Sequence, residues 1–238
     1  MTGPRTLGRS GIGVSAMGVG CWAIGGPLWQ GDQPFGWGEV DDAESIRAVR
    51  RALDLGVTFF DTADLYGAGH SEEVLGKALA GHRDEVVIAT KWGHTFDPVT
   101  RQRGGADTSP GYLRGALEAS LGRLGVDHVD LYQLHVAAAP PRDAPALQEV
   151  LEELVAAGRI RAYGWSTYLP DRARLWASRR RSRVAPCSGR AAPETLPAKS
   201  CKASRRANGS ARAGHVSSVH RSARAPTHRG KTDRRDAG

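Results

Sequence analysis

The chain has 238 residues, 40% of them apolar and 24% charged, with 33 Lys+Arg against 25 Asp+Glu and a formal net charge of +8. No apolar run approaches the roughly 18 residues that a transmembrane helix needs, and Cys21, Cys187 and Cys201 form no C-x-x-C pair, which argues against a disulfide framework and a cysteine metal site. Charge divides the chain in two: residues 1–176 hold 17 Lys+Arg against 22 Asp+Glu, and residues 177–238 hold 16 against 3.

The opening Met1-Thr2-Gly3-Pro4-Arg5 lacks the charged-then-apolar pattern of an export signal, so a cytoplasmic protein is expected. Residues 15–22, SAMGVGCW, read as a buried strand, followed by a loop rich in Gly, Pro and Trp from Gly25 to Gly38. Asp41 or Asp42 then caps a helix whose Ile46, Val49, Ala52 and Leu53 share one face, with Asp41 and Glu44 spaced as a capping box and Gly56 as the stop. Val57 to Phe60 is a short β-rich run that leads into Asp61. Ser71 is expected to open the next helix, with Val74, Leu75, Ala78 and Leu79 inward and Gly81 at its end.

Val86 to Ala89 is an apolar strand ending at Thr90-Lys91. Ser109-Pro110 is a cap with proline at the first helical position, and Leu113, Leu117, Leu121 and Leu124 line one face behind it. Val129 to Leu134 is the fourth strand and runs into His135; a helix over roughly 145–157 follows and stops at Gly158. Ile160 to Trp165 is the fifth strand and runs into Ser166, and a last helix starts near Pro170.

Strands apolar on both faces, each followed by an amphipathic helix, indicate an α/β fold with a parallel sheet covered by helices. Asp61, Lys91, His135 and Ser166 each stand at the C-terminal end of a different strand, the catalytic face of a (β/α) barrel. A doubly wound sheet would also bind at strand ends, but Gly18-Val19-Gly20 continues with Cys-Trp-Ala and makes no G-x-G-x-x-G turn. The barrel is therefore preferred.

The motifs now in hand resemble those of the aldo-keto reductases. Arg5-Thr6-Leu7-Gly8-Arg9-Ser10-Gly11, Val14-Ser15 and Gly18-Val19-Gly20-Cys21-Trp22 look like that family's N-terminal hairpin and first strand. Phe59-Phe60-Asp61-Thr62-Ala63-Asp64-Leu65-Tyr66-Gly67 is similar to its signature stretch. Thr90-Lys91, Asp127-x-x-Asp130-Leu131-Tyr132-Gln133-Leu134-His135 and Gly164-Trp165-Ser166 complete the series in order, over about residues 5–176.

The resemblance implies NAD(P)H-dependent reduction of a small aldehyde or ketone, with NADPH as the expected cofactor and NADH left open. It implies that Tyr66 is the general acid, that Lys91 favours its phenolate by charge, that Asp61 pairs with Lys91, and that His135 orients the carbonyl oxygen. Ser166 matches the serine that bonds the nicotinamide carboxamide, Thr167 stands where the family has asparagine, and Asp61 and Trp22 complete the cofactor-side set. Trp22 borders cofactor or substrate, or serves as an apolar rim, while Trp29, Trp37 and Trp92 line a pocket or simply pack. Singly, Asp61 reads equally as a turn residue, Tyr66 as a loop aromatic, Lys91 as a solvated cation and His135 as a structural histidine. Together, in family order, they read as one site.

The family's barrel has eight strands and five are legible here, so the expectation is a partial (β/α)8 barrel over 1–176. A half-barrel of this kind would be marginally stable, with impaired activity. An inactive relative that binds a nucleotide or a protein is the alternative. Residues 177–238 hold 43 Arg, Ala, Ser, Gly and Pro among 62 and no aromatic residue, which predicts disorder. Such a composition is also that of a GC-rich gene read out of frame. Its cations could bind nucleic acid without sequence preference, and it carries no interleaved aromatics for base stacking. The sequence leaves the oligomeric state open.

Overall fold

A computed structural model describes residues 3–177. The expected tail disorder, its reading-frame origin and its nucleic-acid binding all concern residues outside the described ones.

Five parallel strands form one sheet in sequence order: β1 (Gly18–Gly20), β2 (Phe59–Asp61), β3 (Val87–Trp92), β4 (Val129–Leu134) and β5 (Ile160–Trp165). Each leads to a helix: α1 (Asp42–Asp54), α2 (His70–Leu79), α3 (Pro110–Leu124), α4 (Ala144–Ala156) and α5 (Pro170–Ala177). These are five βα units of a (β/α)8 barrel.

Alternation along the strands sorts their side chains into two layers. Phe60, Ile88, Trp92, Tyr132, Leu134, Tyr163 and Trp165 face outward and pack with Leu75, Leu113, Leu117, Leu121 and Leu151 of the helices. Val87, Ala89, Leu131 and Ala162 face inward, with Phe59 beside them, and the hairpin residues Ile12 and Val14 cover them from below. That hairpin pairs Arg5–Thr6 with Gly13–Val14. Asp61, Lys91, His135 and Ser166 continue the inward parity, so the pleat aims all four into the same space.

The helix caps follow the sequence at two sites. Asp41 accepts from the amides of Ala43 and Glu44, and the Ser109 hydroxyl accepts from Tyr112 N. At α2 the start differs from expectation: Gly69 is the N-cap and the helix begins at His70. The Ser71 hydroxyl donates to Cys21 O at 2.7 Å and lies 2.9 Å from Thr62 Oγ1, so it ties the helix to the strand ends. The expected first strand, 15–22, narrows to Gly18–Gly20.

The segment read as a Gly/Pro/Trp loop contains a hairpin, Trp29–Gln30 with Gln33–Pro34. A second hairpin, His94–Asp97 with Gln102–Ala106, follows β3, and Trp29 pairs with Gln102 to make one four-stranded sheet. This sheet, the mouth sheet, joins loops at the C-terminal ends of β1 and β3. Among the described residues, no helix is long and apolar enough to cross a membrane.

Candidate active site

Lys91 is the centre of the site and is only 3% exposed. A buried ammonium needs acceptors for its three protons. It donates to Asp61 Oδ2 at 2.8 Å, Thr62 O at 2.6 Å and Tyr66 Oη at 3.2 Å. Asp61 closes β2 and Lys91 is the fifth residue of β3, so adjacent strands supply the ion pair.

Tyr66 stands on the loop between β2 and α2, where a close backbone approach fixes it. A Cβ on Gly67 would lie 1.8 Å from Gly25 O, and Gly67 has φ +62°. A Cβ on Gly25 would meet Tyr66 C at 2.8 Å. Only glycine fits either position, and the contact clamps the tyrosine loop against the loop after β1. The Tyr66 ring stacks on Trp22 with centroids 6.1 Å apart, and His135 meets it edge-on at 5.7 Å.

Burial pushes the Tyr66 phenol up, and the nearby Lys91 ammonium pulls in the opposite direction without cancelling it. The phenol is therefore protonated at neutral pH. Because Lys91 donates to its oxygen, the phenolic O–H is available to another acceptor. His135 is held well below the usual imidazole range, first by burial and then by Lys91, His94 and Arg103. Its ring is neutral at pH 7. Burial, with Asp61 adding to it, pushes the Cys21 thiol up to about 12, so this cysteine is a buried neutral thiol and not a nucleophile.

The remaining expected residues sit around this core. Ser166 follows β5 directly beside His135 in register, with its amide donating to Leu134 O at 2.9 Å and its side chain half-buried. The Thr167 hydroxyl donates to Ala137 O at 3.0 Å and accepts from Leu169 N at 3.1 Å, which leaves its methyl and backbone for any ligand. Trp22 forms an aromatic corner with Tyr66 and Trp37, the latter edge-on at 6.0 Å. Trp92 points outward and stacks on Tyr132, so its role is packing; Trp29 lies in the mouth sheet.

The aldo/keto reductase family profile matches residues 16–187, past the last described residue. This chain belongs to the aldo/keto reductase family. It is 39% identical over 171 residues to aldo-keto reductase YhdN of Bacillus subtilis, covering 68% of this chain and 46% of that one. It is 38% identical over 169 residues to an NADH-specific methylglyoxal reductase of Escherichia coli, covering 66% and 50%. Among solved structures, the holo form of aldo-keto reductase AKR11C1 from Bacillus halodurans superposes with a TM-score of 0.63 at 34% identity, covering 75% of this chain and 55% of that one. A Klebsiella pneumoniae aldo-keto reductase in complex with NADPH gives 0.54 at 29% identity, covering 71% and 51%. The chain spans about half the length of the curated relatives it matches.

Three polar residues of this family member belong to the site although sequence reasoning did not select them. His94 opens the second hairpin of the mouth sheet, and its ring meets His135 at 5.6 Å. Arg103, on the opposite strand of that hairpin, points its Nη2 at His94 Nδ1 from 3.4 Å. Gln133 sits between Lys91 and Gly164 in strand register, fully buried, with neither amide atom bonded. Parity along β4 could have flagged Gln133, since it shares the inward face with His135. By contrast, Asp130 of the family motif is structural. It faces outward, where Ile88 N, Arg83 and Arg161 satisfy its carboxylate. Among the described residues, no group of three His, Cys, Asp or Glu could hold a metal ion.

Proposed function

We propose that this chain carries the carbonyl-reducing site of an NAD(P)H-dependent aldo-keto reductase, acting on a small aldehyde or ketone. One observation carries the reading: a single buried ammonium bridges Asp61 and Tyr66 while His135 packs against the same tyrosine ring. Tyr66 donates its proton to the carbonyl oxygen as the carbon is reduced. The Lys91 charge, 3.2 Å away, stabilises the phenolate that forms. Asp61 holds Lys91 in place, and the neutral His135 ring offers an N–H to the same oxygen.

Asp61 Oδ1 and His135 Nδ1 are buried without a protein partner among the described residues, and both lie at the inner face of the strand ends. With the half-buried Ser166 hydroxyl they are polar groups that suit the carboxamide end of a nicotinamide. A reduced nicotinamide dinucleotide, when bound, supplies the hydride. Ser166 would hold the carboxamide and Trp22 would border the cofactor. NADPH is the expected form, with NADH as the alternative, and cytoplasmic placement is part of the proposal.

The test is a fluorescence titration of the purified chain with NADPH and NADH, followed by aldehyde turnover with Tyr66→Phe as control. Saturable binding and turnover that falls about 10²–10⁴-fold in Y66F are expected for loss of a general acid. Turnover unchanged in Y66F would overturn the assignment. The alternative is a binding-only role. Saturable nucleotide binding without any turnover would select it.

A further inference from the structure

We propose that Arg103 reads an anionic group on the substrate, so that the carbonyl compound reduced here carries a carboxylate or a phosphate. The inference rests on the reductase reading above and specifies its substrate class. Three rings are in successive contact from the reacting end of the site: Tyr66 with His135 at 5.7 Å, and His135 with His94 at 5.6 Å. The guanidinium of Arg103 extends these contacts, 3.4 Å from His94 Nδ1.

The guanidinium is held firmly without being neutralised. It lies over the Phe35 ring at 4.7 Å, and its Nη1 donates to Gln30 Oε1 at 3.0 Å, so the first hairpin of the mouth sheet positions a cation carried by the second. Both supports are uncharged. No carboxylate lies within 4.0 Å of it among the described residues, and its Nε is buried without a partner. By contrast, Arg83 and Arg161 share Asp130, and Arg123 holds Glu72.

An arginine carries five N–H donors in a planar fork that matches a carboxylate or phosphate. Two contacts are used here, and the remaining donors await an acceptor. The field of Arg103 is also felt at both histidines, where it adds to the downward shift of each ring. A substrate that places its carbonyl at Tyr66 and its anion at Arg103 carries both groups on one small molecule. Carbonyl acids and phosphorylated aldehydes meet that requirement.

The experiment measures binding of matched aldehydes to the full chain by tryptophan fluorescence, without nucleotide, so that an inert reductase assay does not obscure it. The carboxylate arm compares 4-carboxybenzaldehyde with its methyl ester, and the phosphate arm compares glyceraldehyde 3-phosphate with glyceraldehyde. We expect at least tenfold preference for the anion in one arm, equivalent to about 1.4 kcal/mol. Arg103→Met should bring that ratio close to one, and Arg103→Lys, which keeps the charge, should retain part of it. Equal binding of anion and neutral partner, no binding of either anion, or a preference that survives R103M in natively folded protein would overturn the proposal. The last result would assign the preference to other cations, the 16 Lys+Arg of residues 177–238 among them.

Discussion

Replacing Asp61 by asparagine tests the central ion pair with little change of shape. The amide keeps the volume of the carboxylate but removes the charge that faces Lys91 Nζ at 2.8 Å. Removing one partner of a fully buried pair costs about 3–5 kcal/mol, because the other charge is left in a poor solvent. Lys91 is nearly inaccessible, whereas the Asp61 side chain is 29% exposed. Thr62 O and Tyr66 Oη also remain as acceptors. The expected cost therefore falls below that range, at about 2–3 kcal/mol. Lys91→Met should cost a similar amount, and the double variant should cost less than the two singles together by about 1–2 kcal/mol, the signature of a direct interaction. Urea unfolding followed by fluorescence gives all three values from the midpoints, provided the slope is unchanged. Strict additivity in the double variant, or single costs within about 0.5 kcal/mol of zero, would refute the buried pair.

Three further outcomes follow from the same geometry. Gly67→Ala forces a Cβ toward Gly25 O at 1.8 Å with φ +62°, so it should destabilise by about 2 kcal/mol or more. Gly111→Ala, with nothing within 4 Å of its Cβ, should be close to neutral in the same melt. His135 and His94 both titrate below the usual imidazole value in the folded chain. As pH falls below about 6.5 the unfolded chain takes up protons that the folded chain does not. Stability should therefore decline from pH 7 toward pH 5, and the decline should flatten in His135→Gln. Cys21, fully buried with its thiol pushed up to about 12, should stay unlabelled by iodoacetamide at pH 8 in the native protein and react in urea, as read by peptide mapping.

The strands and helices of residues 57–177 were largely legible because their signals are local. Val129–Leu134 and Ile160–Trp165 have the expected bounds, and Leu113, Leu117, Leu121 and Leu124 are all buried on one helix face as their spacing requires. Asp41 and Ser109 cap the helices they precede. The helix read as opening at Ser71 begins one residue earlier, at His70 after Gly69, and the Ser71 hydroxyl is engaged by other elements, donating to Cys21 O and bonded to Thr62 Oγ1. The first hairpin of the mouth sheet was read as loop for a related reason. Its contacts with the second hairpin, such as Gln102 Oε1 accepting from Gly31 N, join residues 71 apart, and neither partner carries a strand pattern.

Sequence alone determined the βα alternation, the placement of Asp61, Lys91, His135 and Ser166 at the C-terminal ends of their strands, and the family motifs. Periodicity and spacing act over a few residues, and a parallel sheet converts them into a common face. Tertiary structure decided what each group experiences there. It made Lys91 a shared donor, let burial outweigh its charge at Tyr66, reserved two glycines for a backbone contact, and brought His94 and an uncompensated Arg103 beside His135. Those outcomes depend on desolvation and on neighbours remote in the chain, and neither quantity exists until the fold has formed.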